Sequence, residues 1–242
     1  MKVYIHKKSN GQFSSHNNYA DYEGFSEMGF EVVPYGNFSE INDMELCDIV
    51  DNDVDDVRNA LNKFNIVTPE IDYPAELEKY LGRKIWRSKI SEIANNVDKM
   101  NVFIKPVEDK KFTGVVVGSI RDLMGCGTLE EDTDIFCSQV VNFVAEWRCF
   151  VRYGEILDVR PYRGDWRMHY DSRVIEGAVR DYATQPNGYS IDFGVTEKGE
   201  TLLIEVNDGY ALGFYGLNHL SYAKLLSARW AQLTGTEDQC YF

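Results

Sequence analysis

The chain has 242 residues, 44% of them hydrophobic, and a formal net charge of −14. This length suits one large domain or two small ones with a real core, and the acidic balance argues against nucleic-acid binding through bulk charge. The five cysteines are odd in number, scattered and without a C-x-x-C pair, which points away from a disulfide framework or a zinc site.

No apolar run reaches membrane-spanning length, and Met1 to Asn10 lack the charged-then-apolar layout of a secretory signal. A reduced, cytoplasmic setting is the expectation. Lys2 to His6 alternates like a first strand, and Asn10 to Asn18 reads as a Gly/Ser/Asn loop. Phe30 to Val33 is a second strand stopped by Pro34, and Asp48 to Val50 a third. Asp53 caps a helix that carries Val54, Val57, Ala60, Leu61 and Phe64 on one face, with Asp55 and Asp56 in its first turn. Strands alternating with helices predict a small α/β unit over 1–72. It carries neither a G-x-G-x-x-G fingerprint nor a G-x-x-x-x-G-K-[ST] loop.

The prolines at 69 and 74 mark a boundary, and a second domain is expected over 73–242. Pro74 opens a short helix, Ala75 to Leu81, closed by Gly82. Arg83, Lys84, Arg87 and Lys89 cluster around Ile85-Trp86, and Ser91 to Met100 reads as a helix or a turn of one. Val102 to Pro106 is a strand ending in Lys105, whose desolvation implies an anionic partner or a snorkelling stem. Lys110-Lys111-Phe112-Thr113-Gly114 precedes the strand Val115 to Val117 and has the composition of a phosphate-covering turn. Glu130 to Asp134 reads as a solvated acidic loop. From Phe112 to Glu197 there is no lysine, yet arginine recurs; its rigid fork holds phosphate or carboxylate bidentately. Trp147 to Val151 and Ile156 to Pro161 form a hairpin around Tyr153-Gly154-Glu155, with Arg148 on its first strand and Arg160 and Arg163 near the end of its second.

The densest chemistry lies in Tyr189 to Tyr210. Ile191 to Val195 and Thr201 to Val206 flank a polar break, a β-hairpin pattern. Pairing about Lys198-Gly199 puts Asp192 opposite Glu205, with Asn207 on the same face. Like charges directly opposed destabilise a sheet unless something positive lies between them, and an all-oxygen set suits magnesium. The alternative is an ordinary hairpin with its acids at a solvated rim. Leu220 to Leu233 has the apolar spacing of an amphipathic helix ended by Gly235, followed by a loosely held tail, Thr236 to Phe242. The four histidines are scattered, and no Ser-His-Asp or Cys-His arrangement is evident.

Taken together, I-K-P (104–106), K-K-F-T-G (110–114), S-Q-V-V (138–141), E-W-R-C-F-V (146–151), R-P-Y-R-G-D (160–165), D-F-G (192–194) and E-V-N-D-G (205–209) resemble the ATP-grasp superfamily, best its R2K clade. The resemblance implies an α/β (α+β) protein of ATP-grasp fold, in which two α+β subdomains sandwich ATP behind a small N-terminal α/β domain. It implies Lys105 and Lys111 as contacts for ATP, Gln139, Val140 and Val141 as the adenine segment, and Glu146 among the nucleotide-binding residues. Lys84 is the choice for a second nucleotide-contacting lysine, with Arg87 and Lys89 as alternatives. Arg148, Arg160 and Arg163 would contact the transferred phosphoryl group, and Asp192, Glu205 and Asn207 would carry Mg2+. The implied chemistry is ATP-dependent ligation of small-molecule or peptide carboxylates to amines through an acyl-phosphate. The alternatives are a small-molecule kinase on the same scaffold and a nucleotide-binding module without turnover. A protein kinase is disfavoured, because Asp192-Phe193-Gly194 is accompanied by neither an H-R-D loop nor a glycine-rich strand.

Overall fold

The computed structural model describes residues 1–51, 53–96, 99–108, 111–127 and 132–242. Lys110 falls outside them, as do Glu130 and Glu131 of the acidic loop and part of the turn expected over 91–100. The chain divides into two units, one made of Met1–Tyr80 with Phe143–Phe242 and the other of Leu81–Asn142.

The first unit begins with a parallel sheet in the order β2-β1-β3, formed by β1 (Lys2–His6), β2 (Glu31–Tyr35) and β3 (Ile49–Asp51). Val3, Tyr4 and Ile5 are all buried, as a parallel strand covered on both faces requires. The strand β2 runs through Pro34 and does not stop before it. An edge strand tolerates the missing N–H. A crossover between parallel strands needs a connecting element, and here it is the helix α1 (His16–Glu27). Part of this stretch was expected to be a loop, and no helix was expected after it. Its sequence has no apolar stripe; the buried side chains include Asn18, Asp21 and Gly24. Ser15 caps it, accepting from the Asn18 N–H at 3.2 Å. A Cβ on Gly24 would lie 2.4 Å from the carbonyl oxygen of His219 in the C-terminal helix, so glycine is what allows the two helices to meet. The helix α2 (Val54–Asn62) follows the reading, with Asp53 as its cap and Val57, Ala60 and Leu61 buried.

The second unit is an antiparallel sheet in the order β4-β7-β5-β6. It contains β4 (Ile85–Lys89), β5 (Val102–Pro106), β6 (Val115–Val117) and β7 (Asp134–Gln139), with a short helix α3 (Ile90–Ala94). Ile93, Val102, Ile104, Val117, Ile135 and Cys137 form its core.

The first unit resumes with a second antiparallel sheet in the order β11-β10-β8-β9. The strands β8 (Phe143–Arg152) and β9 (Glu155–Gly164) extend the expected hairpin at both ends. Their two-residue turn has Tyr153 and Gly154 at φ of 49° and 77°, the left-handed pair that matches strand twist. A helix absent from the sequence reading, α4 (Ser172–Asp181), leads to β10 (Gly188–Thr196) and β11 (Thr201–Asp208). The last helix, α5 (His219–Thr234), ends at Gly235 with φ 68°. It is buried almost all round, because it packs on both α1 and β10, so its pattern is not the one-sided stripe expected. The tail is pinned, contrary to expectation. Asp238 accepts from Arg152 Nη2 at 2.8 Å, Tyr153 Oη at 2.9 Å and Ser227 Oγ at 2.6 Å, and Cys240 is fully buried. These partners are distant in sequence, so local pattern could not show them.

Between α1 and β3, Asp21 and Asp51 are buried together, and Asn18 Nδ2 donates to Asp51 Oδ2 at 2.8 Å. Neither oxygen of Asp21 has a conventional donor; the neighbouring group is another carboxylate. Burial, then the Asp51 charge, raises Asp21 well above the usual carboxylate range, and burial raises Asp51 to about 6. One shared proton satisfies this geometry. A carboxyl raised by folding stabilises below its unfolded pKa and loses that contribution as pH rises through the folded value. Between pH 4 and 7 the parent protein should therefore lose about 1–3 kcal/mol relative to Asp21→Asn, read from urea midpoints across that range. Parallel pH profiles for the two proteins would refute the shared proton.

Candidate functional site

Strands β9, β8, β10 and β11 bring four charged residues into one row. Arg160 pairs with Arg148, Arg148 with Asp192, and Asp192 with Glu205. Directly paired residues point to the same face, so two guanidinium groups and two carboxylates lie side by side across the sheet. The expected opposition of Asp192 and Glu205 is present. Nearer the turn the pairing runs one residue out of step, Val195 with Thr201, and a bulge next to Asp192 restores it. Asn207 pairs with Ser190 on the same face, and its Nδ2 donates to Asp192 Oδ2 at 3.3 Å.

The centre of the row is a buried ion pair. Arg148 Nε and Nη2 donate to Asp192 Oδ1 and Oδ2, both at 2.8 Å, with the side chains 9% and 3% exposed. This is the bidentate fork of arginine on a carboxylate. Burial disfavours the charge on both groups. For Arg148 the attraction of Asp192 outweighs it and keeps the guanidinium firmly charged; for Asp192 burial pushes the carboxyl up against the pull of Arg148.

Two aromatic residues that the sequence did not single out close this region. Tyr162 is the extra residue of a bulge in β9, beside Arg163, which pairs with Glu146. Arg163 Nη1 donates to Glu146 Oε1 at 2.7 Å, and Tyr162 hydrogen-bonds to the same carboxylate. Glu146, expected to contact nucleotide, is thus engaged by its own strand neighbours. Burial, then the Asp192 and Glu146 charges, raises the Tyr162 hydroxyl. Tyr215, in the loop after β11, lies over the Arg148 guanidinium at 4.8 Å and against the Tyr162 ring at 5.2 Å. The Gly/Tyr composition of that loop was the only signal. Next to it, Arg160 Nη2 donates to the Gly216 carbonyl.

The residues expected to hold nucleotide lie in the other unit, except Glu146. Lys105 and Arg87 both oppose Phe136, one from each side of β7. Their charges lie 5.6 and 4.9 Å from that ring, so two cations share one row with an aromatic face between them. Lys84 instead precedes β4, with its ammonium 5.8 Å from the Trp86 ring. Lys89 reaches Asp134 at 3.5 Å, and Lys111 pairs with Glu108 at 3.0 Å. Gln139 is tied to Lys84 twice: the Lys84 N–H donates to Gln139 Oε1 at 2.9 Å, and the Gln139 N–H donates to the Lys84 carbonyl at 3.1 Å. Gln139 therefore fixes the start of the segment, and Val140, 41% exposed, and Val141 follow it.

Asp192, Glu205 and Asn207 occupy neighbouring positions on one face, and side chains of these types are ones that magnesium takes as ligands. The guanidinium already seated on Asp192 shows that this position demands a positive charge. Among the described residues no group of three or more His, Cys, Asp or Glu side chains is placed to hold a metal ion, and Asn207 presents its NH2 to Asp192.

Solved structures of similar architecture define the class: the chain has an ATP-grasp fold. D-alanine–D-alanine ligase from Bacillus anthracis, complexed with ATP, superposes with a TM-score of 0.57 at 14% identity, over 97% of each chain. L-amino acid ligase from Bacillus licheniformis gives 0.57 at 12%, covering 95% of this chain and 75% of that one. N5-carboxyaminoimidazole synthetase from Staphylococcus aureus gives 0.57 at 10%, covering 98% and 77%. Residues 80–225 match the ATP-grasp domain, R2K clade family 2, and the chain belongs to that family. Comparison with curated protein sequences gives no significant match.

Removing one partner of a buried ion pair strands the other charge. Asp192→Asn should therefore lower the unfolding free energy by about 3 kcal/mol, and the double variant Arg148→Met/Asp192→Leu should recover most of that loss. Chemical denaturation of Asp192→Asn, Arg148→Met, Asp192→Leu and the double variant measures it; a loss in the double variant equal to the sum of Arg148→Met and Asp192→Leu would show that the pair is not coupled.

Proposed function

We propose that this chain is an ATP- and magnesium-dependent carboxylate–amine ligase that works through an acyl-phosphate and releases ADP and phosphate. The reading rests above all on the row Arg160–Arg148–Asp192–Glu205, with Asn207 beside it. Family membership supports it, as do three neighbours of the same fold whose names are those of ligases or synthetases.

In this reading the substrate carboxylate oxygen attacks the γ-phosphorus of ATP and the bond to ADP breaks. An amine nitrogen then attacks the acyl carbon, phosphate leaves, and the amine loses a proton. Neither step needs a nucleophilic side chain. Both need negative charge to be neutralised as it moves and water to be kept from the acyl-phosphate. Bound at Asp192, Glu205 and Asn207, magnesium would supply Lewis-acid neutralisation of the phosphates. Arg148, Arg160 and Arg163 hold the transferred phosphoryl group, with Glu146 and Tyr162 positioning Arg163. Lys105 holds the nucleotide phosphates with Lys84 or, as the row that Arg87 and Lys105 share across Phe136 supports, Arg87 as its companion. Gln139 orients the segment through Val141, whose backbone receives the adenine. Lys111 adds a phosphate contact near β6. The substrates are small-molecule or peptide carboxylates and amines.

A screen of amino acids and short peptides for ADP release tests the reaction class. A ligase releases ADP and phosphate only when acid and amine are both present. Release with a single acceptor, phosphorylated and stable, would identify a kinase instead; ATP binding without any release would identify a non-catalytic module. Glu205→Gln should abolish turnover with the unfolding midpoint within about 3 °C of the parent, and retained turnover would remove Glu205 from the metal set. Lys105→Ala should weaken ATP binding at least about tenfold, the loss expected for one charge-assisted contact. An unchanged thermal shift with Mg-ATP would place the nucleotide elsewhere.

A further inference from the structure

The proposed metal position is already taken by part of the protein. Asp192 has both carboxylate oxygens on the Arg148 fork, and Asn207 adds a third donor to Oδ2. In this arrangement Asn207 turns its NH2 toward Asp192. Tyr215 covers the guanidinium from the loop side. Its backbone has φ 43°, a left-handed conformation that is costly for a bulky residue, and Gly216 beside it has φ 79°. Such strain persists only where surrounding contacts enforce it. Here they are visible: the Tyr162 ring against Tyr215 and the Arg160 guanidinium on the Gly216 carbonyl.

The exchange of ion-pair partners decides what can enter. Arg148 is committed to Asp192, and Arg160 has Asp158 at 3.4 Å. A bare divalent cation arriving at Asp192 would separate a pair whose side chains are 9% and 3% exposed, where a freed charge is poorly screened. It would bring no anion of its own for the displaced guanidinium. A metal arriving on a nucleoside triphosphate brings its own negative charge, and the phosphates offer Arg148 a second bidentate partner.

We propose that Arg148 is the resident cation of the metal-free site, held on Asp192 by Tyr215 as a positioning residue, so that the site admits a metal–nucleoside triphosphate complex and excludes the bare ion. The proposal rests on the assignment of the metal to Asp192, Glu205 and Asn207.

Mn2+ is the probe, with free ion counted by electron paramagnetic resonance in the presence of the full chain. The parent protein should take up Mn2+ with the non-hydrolysable analogue AMP-PNP and show no uptake of Mn2+ alone. Arg148→Met, which leaves the Asp192 charge unmet, should bind bare Mn2+ at least tenfold more tightly than the parent, and Arg148→Met/Glu205→Gln should lose that gain. Tyr215→Leu should fall between the parent and Arg148→Met. Uptake of bare Mn2+ by the parent as tight as by Arg148→Met would overturn the proposal and leave the metal assignment standing. So would parent uptake with AMP-PNP and no gain in Arg148→Met. No uptake by any form, with or without AMP-PNP, would instead sink the metal assignment itself. Should Arg148→Met fail to fold, the parent alone decides through the Arg148 Nε–H resonance in nitrogen-15-labelled protein. It should be unchanged by Mg2+ and should shift with Mg2+ plus AMP-PNP; a shift with Mg2+ alone would overturn the proposal.

Discussion

The buried pair of Arg148 and Asp192 constrains everything around it. Two opposite charges this deeply placed are tolerable only with excellent geometry and with their remaining hydrogen-bonding capacity met. The sheet supplies both. Each residue sits at a directly paired position on adjacent central strands, so the backbone registers of β8 and β10 set the fork. Flanking residues then complete it, Asn207 from below Glu205 and Tyr215 from the covering loop. A one-residue slip of β10 would send Asp192 to the opposite face and strand Arg148. The bulges on either side make sense in that light. One, next to Asp192, keeps Glu205 opposite it, and the other, in β9, puts both Tyr162 and Arg163 onto Glu146.

The remaining architecture of that unit serves to keep this face in place. All nine residues of β10 are buried, and α5 presses on it so closely that a Cβ at Gly188 would lie 2.3 Å from the Leu225 carbonyl oxygen. On its other side α5 meets α1 at Gly24. The helix thus clamps the parallel sheet of the N-terminal part to the strands that carry the charged row. Asp238 locks the far end of β8 by holding Arg152 and Tyr153. Burial on both sides is also why α5 does not show a clean amphipathic stripe.

What the sequence made legible and what it hid follow from the range of the interactions involved. The β8–β9 and β10–β11 hairpins could be read because alternation has a period of two and their turns are short, so pairing is nearly determined by local spacing. From the β10–β11 register came the opposition of two acids, and from that the demand for a cation. The identity of the cation in the metal-free chain could not be read, since Arg148 lies forty-four residues from Asp192. The helix α1 was invisible for a different reason. Its buried face carries Asn18, Asp21 and a glycine, residues that pattern assigns to loops, and each is buried by a specific partner: Asn18 by Asp51, Asp21 by the shared carboxyl, Gly24 by α5. Arg87 was one of three competing basic residues; only the pairing of β4 and β5 on either side of β7 puts it level with Lys105.

The same constraint bears on how a ligase of this kind avoids wasting ATP. In the proposed reaction the acyl-phosphate survives only where water is excluded, and a site built to be dry cannot also hold an unpaired carboxylate. Keeping Asp192 neutralised by a side chain resolves that conflict before any ligand arrives. The cost is that ligand entry must break a good ion pair, which a triphosphate can offset and a small ion cannot. The strained Tyr215 and its glycine neighbour sit where that exchange would have to begin. In the proposed exchange the loop's strain and the pair's burial act together: Arg148 stays on Asp192 until a partner with both a metal and phosphates is present.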